Sequence, residues 1–320
     1  MSTGDDVTVA TGDGSVVTDD GDPTEDITIT TDDVTIAAEG TIATDDVTSR
    51  PGSAASLVLT IVGLYLRRVG GWMSTATLVR LAEEVGSPAP STRTAIARLK
   101  KRNVVVAARR DGVPGYAVHP GAIRMLQRGD RRIFTPRSMA IDDPWCLISF
   151  SLPEQQRAVR HQLRRRLLWI GCGIVAPALW ICPDYLADEV EEILHELGIR
   201  HHATLFRSEL PRVAGRIEDA VARWWDLAAI AAAHHDFIAA VRTRLPDRPP
   251  SAAEAFLIYV TGIDVWRTIP YIDPGLPPSL LPPDWPGRRS VELFTTLSDR
   301  LAEPAWQHVR DIVSTFTRLR

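Results

Sequence analysis

Residues Ser56–Gly115 read SLVLTIVGLY LRRVGGWMST ATLVRLAEEV GSPAPSTRTA IARLKKRNVV VAARRDGVPG. Leu57, Ile61, Leu64 and Tyr65 repeat at helical spacing, and Arg67 and Arg68 close a first helix, Leu57 to Arg68, with cations at its C-terminus. Gly70-Gly71 breaks it. Ser74 is placed to cap a second helix whose stripe is Leu78, Leu81, Ala82 and Val85, ended by Gly86 and the turn from Pro88 to Pro90. Ser91 then reads as the cap of a third helix, Thr92 to Arg102, with Ala95, Ile96 and Leu99 on its inner face. Val104 to Ala108 has the composition of a strand, Arg109-Arg110-Asp111-Gly112 of a basic turn, and Gly115 to His119 of a returning strand.

The outer face of the third helix decides what such a unit does. Arg93, Thr94, Ala97, Arg98 and Lys101 combine cations with small side chains, so the backbone can approach a groove while an arginine meets a guanine edge. Ser91 and Thr92 open the same helix toward that face, and Arg109 and Arg110 at the hairpin tip suit phosphate or minor-groove contacts. Charge on a helix often does no more than solvate it. The ordered series of helix, helix, basic helix and basic hairpin favours DNA instead, and it is the series of a winged helix-turn-helix.

The net charge of −4 conceals a basic body. Residues 1–50 carry 13 acidic residues and one basic, while the remaining 270 carry 35 basic and 27 acidic. A cationic body suits nucleic acid. The leader repeats Thr, Asp, Gly and Val, as in Asp32-Asp33-Val34-Thr35 and Asp45-Asp46-Val47-Thr48, and lacks leucine and aromatic residues, so residues 1–52 are expected to be disordered. The leader either competes with DNA for the basic face or merely solubilises the chain (or marks a start codon assigned too early). Deleting residues 1–50 separates these, because unchanged DNA affinity at low salt removes the competition reading. No apolar run approaches a membrane span and no signal peptide is visible. Cys146, Cys172 and Cys182 lack metal-site spacing and read as small buried residues of a cytoplasmic protein.

Beyond the hairpin the chain divides again. Residues 53–129 are expected to form the winged helix, ending in a short helix from Pro120 to Gly129, and 130–143 an irregular linker. Residues 144–210 read as strand (Cys146–Phe150), basic helix (Gln155–Ile170), two short strands (Ile174–Val175 and Leu179–Cys182), helix (Tyr185–Leu197) and strand (His201–Phe206), the β-α-β-β-α-β order of a ferredoxin-like domain. Residues 211–320 are mostly helical, with helices ending at Ser290–Leu301 and Trp306–Leu319 and a proline-rich loop between Pro270 and Gly287. The predicted class is α+β in three parts.

Three stretches are together distinctive: Arg93-Thr94-Ala95-Ile96-Ala97-Arg98-Leu99, Arg164-Arg165-Arg166-Leu167 with Trp169 to Pro183, and Asp273-Pro274-Gly275-Leu276-Pro277-Pro278 followed by Leu281-Pro282-Pro283-Asp284-Trp285-Pro286-Gly287-Arg288. On these the chain, from about Ser56 to Arg310, resembles the PaaX-type transcriptional regulators. The resemblance implies a dimeric repressor acting on an operator in double-stranded DNA, with a middle domain similar to the CRISPR-adaptation nuclease, and release by phenylacetyl-coenzyme A or another acyl-CoA. The long acidic leader departs from the family, as does Asn103 where many relatives have glycine.

Competing chemistries fare worse. A metal-dependent nuclease needs a carboxylate just after the first strand of the middle domain, where this chain has Ser149-Phe150-Ser151-Leu152-Pro153 and reaches Glu154 only at the helix start. Neither catalysis nor a cofactor is therefore expected. His201-His202, on opposite faces of a strand, and His234-His235, about 100° apart on a helix, do not converge on a metal and read as surface or helix-end residues. For an acyl-CoA effector the candidates are Arg164 and Arg165 for phosphate and Trp225, Trp266 and Tyr271 for the acyl group, against the plainer reading of solvated arginines and packed aromatics. A DNA-binding module controlled by a protein partner is the remaining alternative.

Overall fold

The computed structural model describes residues 49–209 and 211–318. The leader, residues 1–52, lies outside them except for its last four residues. The described residues are mixed α+β, with two antiparallel sheets and a helical C-terminal third.

The first part begins with α1 (Ala54–Ile61), capped by the Ser53 hydroxyl accepting from the Ser56 amide and continued by one π-helical stretch, Val62–Leu66. A short strand that the sequence reading missed, β1 (Trp72–Ser74), leads into α2 (Thr75–Glu84), whose cap is Ser74 as its sequence predicts. Next come α3 (Ala89–Lys101), β2 (Val105–Arg110) and β3 (Val113–Val118), the strands forming a sheet in the order β1-β3-β2. β1 is too short to show alternation, and it pairs because Gly115 of β3 lets it in. A Cβ there would sit 2.5 Å from the Met73 carbonyl oxygen and 2.6 Å from the Trp72 ring.

Two local corrections concern α3 and its hairpin. Ser91 does not cap α3: the helix starts at Ala89 behind Pro88, since Pro90 fits a first turn where no amide partner is needed. The basic turn is also shorter than predicted. Asp111 (φ 51°) and Gly112 (φ 77°) form a two-residue turn with both residues left-handed, so Arg109 and Arg110 end β2 instead. At the C-terminus of α3, Asn103 adopts φ 54°, the Asn103 amide donates to the Lys100 carbonyl, and the Val104 amide donates to that of Leu99. That is a Schellman closure, in which asparagine takes the left-handed position that glycine most often fills.

α4 (Ile123–Phe134) runs past Gly129, so Asp130–Phe134 are helical and the predicted linker shrinks to residues 135–143. Arg67 holds that extension by a bidentate bond to Asp130, at 2.7 and 2.8 Å. The middle part follows as β4 (Trp145–Phe150), α5 (Arg157–Trp169), β5 (Gly173–Ala176), β6 (Leu179–Pro183), α6 (Ala187–Glu196) and β7 (Ala203–Ser208). Its sheet is ordered β5-β6-β4-β7 and each neighbouring pair is antiparallel, with Cys146 opposite Cys182. All three cysteines are buried and free.

The last part holds α7 (Ile217–Trp224), α8 (Leu227–Arg242), α9 (Ala252–Trp266), the short α10 (Ile269–Ile272) and α11 (Gly287–Arg318). The two terminal helices expected from the sequence are one, continuous through Pro304. Leu297, Leu301, Ala305 and Val309 form one fully buried stripe on either side of the proline, and keeping that stripe intact offsets the lost backbone bond.

Helices from the two ends of the chain share a core. Leu57, Ile61 and Tyr65 pack with Phe256, Tyr259 and Val260, the Tyr65 ring stacks 6.3 Å from Trp306, and His308 bonds Glu84 at 2.5 Å. At the centre Asp264 (1 % exposed) accepts from Ser56 Oγ at 2.5 Å, Thr60 Oγ1 at 2.8 Å and the Gly52 amide at 2.7 Å. It also pairs with buried Arg267 at 3.3 Å. Burial lowers the pKa of the Arg267 guanidinium, and Asp264 opposes that shift.

Candidate nucleic-acid interface

α3 presents two unlike faces. Thr92, Ala95, Ile96 and Leu99 are buried, whereas Ser91, Arg93, Thr94, Ala97, Arg98 and Lys101 are exposed. At 100° per residue, positions 93, 94, 97, 98 and 101 lie within a single 140° arc. Among the described residues Arg93, Arg98 and Lys101 have no hydrogen-bond or ion-pair partner, so binding an external anion costs them no internal bond. The hydroxyl of Thr94 donates back to the Pro90 carbonyl at 3.1 Å, leaving its methyl group and oxygen lone pairs outward.

Thr92 does not belong with them. Its side chain is fully buried, bonded to the Ser87 hydroxyl at 2.8 Å and the Ser87 carbonyl at 3.1 Å, and it clamps the α2–α3 turn. Thr92 precedes Ala95 and Ile96 by one helical turn and Leu99 by two, and that register puts it on their inner face. At the hairpin, Arg109 and Arg110 are exposed. Arg109 reaches the Gly112 carbonyl at 2.7 Å and Arg110 lies 5.2 Å over the Trp72 ring, which stiffens both without neutralising either.

The five effector candidates are not brought together. Trp266 lines a cavity of about 410 Å³ and Tyr271 a separate, smaller one, while Arg164, Arg165 and Trp225 line neither. Trp225 is structural: its indole donates to the Gly171 carbonyl at 2.9 Å, and its ring fills the space a Cβ on Gly173 would occupy at 2.6 Å. Tyr271 stacks on Trp169 with centroids 5.3 Å apart.

The histidine readings also change. His234 is a core residue, bonded through Nε2 to Asp273 at 2.9 Å and packed edge-on to Trp285. His201 and His202 sit in a helical turn, not on a strand, with rings 4.1 Å apart. Among the described residues no group of three or more His, Cys, Asp or Glu is placed to hold a metal, and no helix is long and apolar enough to cross a membrane. Glu154 is exposed and pairs with Arg160 at 3.3 Å.

The distinctive loop works as a clasp. Asp273 accepts from His234 and from the Gly275 amide, and Tyr185 donates to the Pro274 carbonyl. The Gly275 carbonyl accepts from Met139 at 2.7 Å. Gly275 has φ 67°, and a Cβ on it would lie 2.2 Å from the Arg137 carbonyl oxygen. Gly275→Ala is therefore expected to cost about 2–4 kcal/mol from overpacking and a left-handed backbone together, read as a lower urea midpoint. An unchanged midpoint would remove the clasp.

Residues 53–118 match the family described as PaaX-like protein, 138–221 the PaaX protein central Cas2-like domain, and 225–311 the PaaX-like protein C-terminal domain. The chain is 28% identical over 273 residues to the transcriptional repressor PaaX of Escherichia coli, covering 83% of this chain and 85% of that one. An uncharacterized protein of Mycobacterium tuberculosis has a similar fold, with a TM-score of 0.53 and 20% identity over 81% of this chain and 99% of that one. With all three segments matched in order and the repressor aligned over most of both chains, the protein belongs to the PaaX family of transcriptional regulators.

Proposed function

We propose that this protein is a sequence-specific DNA-binding repressor that a small effector releases. The observation that carries the reading is the unpaired, exposed face of Arg93, Arg98 and Lys101 on α3, beside the stiff Arg109–Arg110 hairpin tip. In this reading α2 and α3 with β2 and β3 are a winged helix-turn-helix: α3 enters the major groove and the hairpin tracks phosphate. The sheet between Trp145 and Ser208, with its β-α-β-β-α-β connection, is the ferredoxin-like middle domain. The similar Escherichia coli protein is a repressor by name. Release by phenylacetyl-CoA or another acyl-CoA, and a homodimer, follow from the family resemblance.

A dimer sets two α3 helices on half-sites about 34–36 Å apart, or a multiple of that. Selection from a random duplex pool is expected to enrich one inverted repeat at such spacing, and no enrichment would overturn the reading. The hairpin gives a separate expectation. Arg110→Ala is expected to weaken all sequences alike and make the slope of log affinity against log salt shallower by about 0.9. An unchanged slope would remove Arg110 from the interface.

A further inference from the structure

The 410 Å³ cavity lies where α4, α6 and the α9–α10 corner meet, away from the residues of the DNA-binding face, and of the five effector candidates it takes in Trp266 alone. Its wall carries Arg128, Arg131, Arg132 and Arg137. Arg128 pairs with Glu192, and Arg132 is held by Glu189 at 3.1 Å and by the Ile170 and Pro270 carbonyls. Arg131 and Arg137 have no carboxylate partner among the described residues, and Arg137 lies 5.5 Å over the Tyr185 ring. Of the wall acids only Asp188 lacks a basic partner, since Glu189, Glu192 and Asp273 face Arg132, Arg128 and His234. The four arginines of the wall match its four carboxylates in number, and the unpaired charges left over are two arginines against Asp188. Trp266, Ile269 and Pro270 supply an apolar flank. His234, 1 % exposed, spends Nε2 on Asp273 and leaves Nδ1 without a partner at the same wall.

We propose that this cavity is the effector site, taking a small organic anion whose carboxylate or phosphate meets Arg131 and Arg137 and whose apolar body lies on Trp266. The volume suits one ligand-sized group, and an apolar wall with a few convergent polar groups is the usual composition of such a site. Arginine forks suit both carboxylate and phosphate. The same helix reaches the DNA-binding part. Asp130, beside Arg131, holds Arg67 after α1, and the Ile133 carbonyl accepts from Trp266 Nε1 at 2.9 Å. A ligand gripping Arg131 draws on α4 and so on the unit that carries α3.

The proposal rests on the effector-released repressor reading, and its test separates the two. Isothermal titration is run with phenylacetate, coenzyme A and phenylacetyl-CoA on the wild type, on Arg131→Ala/Arg137→Ala and on Arg164→Ala/Arg165→Ala, beside operator shifts with each ligand. Expected is binding of at least one probe, weakened at least tenfold in the first variant and unchanged in the second. Ligand-free operator affinity stays at the wild-type level and release is lost in the first variant only. Phenylacetate binding alone assigns the anion as a carboxylate, and coenzyme A binding alone assigns it as a phosphate. Wild-type binding with equal affinity in the Arg131/Arg137 variant overturns the cavity and leaves the effector reading standing. No binding of any probe to the wild type overturns both.

Discussion

Asp264→Ala is expected to destabilise the protein by about 3–5 kcal/mol, the cost of stranding a buried charge. Arg267 is 4 % exposed and also donates to Ser56 Oγ at 2.7 Å, so removing the carboxylate leaves a guanidinium and the Ser56 and Thr60 hydroxyls short of their acceptor. The loss falls on a particular seam, because Asp264 and Arg267 flank the end of α9 while Ser56 and Thr60 belong to α1. Replacing the pair together, Asp264→Leu with Arg267→Met, is expected to recover only part of the loss, since it removes the stranded guanidinium but still leaves the Gly52 amide and the Ser56 and Thr60 hydroxyls without their acceptor. Urea unfolding measures both variants. A single variant within about 0.5 kcal/mol of wild type, the range of an ordinary surface change, would contradict the seam.

The second large effect is on DNA. Arg93→Ala with Arg98→Ala is expected to lower operator affinity at least about thirtyfold, from about 1–3 kcal/mol for each arginine that reads a base. Both side chains are exposed and unpaired, so thermal melting should not move. Thr92→Val is the converse case. Its hydroxyl is buried against Ser87, so the variant should lower stability by about 1–3 kcal/mol and leave the affinity of the folded fraction intact. Normal operator binding by the folded arginine variant would remove α3 as the reading helix.

Much of this was legible in the chain because local rules and tertiary packing agree there. The stripe Leu78, Leu81, Ala82 and Val85 has no better use than a core, and Gly70-Gly71 cannot continue a helix. Errors arose where packing overrode a local signal. Pro90 looked like a stop and serves as a start, and Thr92 belongs by register to the inner stripe of Ala95, Ile96 and Leu99. Pro304 looked like a break and is carried by the buried stripe around it. β1 was invisible because three residues hold no periodicity. The cavity was harder still: its arginines come from α4 and the connector after it, far along the chain from Trp266, and only the fold brings them together. One signal was available. Asp273 sits in the distinctive proline-rich motif, and an acid in a rigid loop asks for a buried partner, which is His234.

The most direct measurement is a competition mobility shift with the DNA upstream of the protein's own coding sequence, at physiological salt. Expected is a discrete complex that survives a thousandfold excess of unrelated duplex, the lower end of ordinary specificity ratios of about 10³–10⁷. A complex that unrelated duplex displaces as readily as the upstream fragment does would contradict sequence-specific recognition of that DNA and, with it, the repressor account.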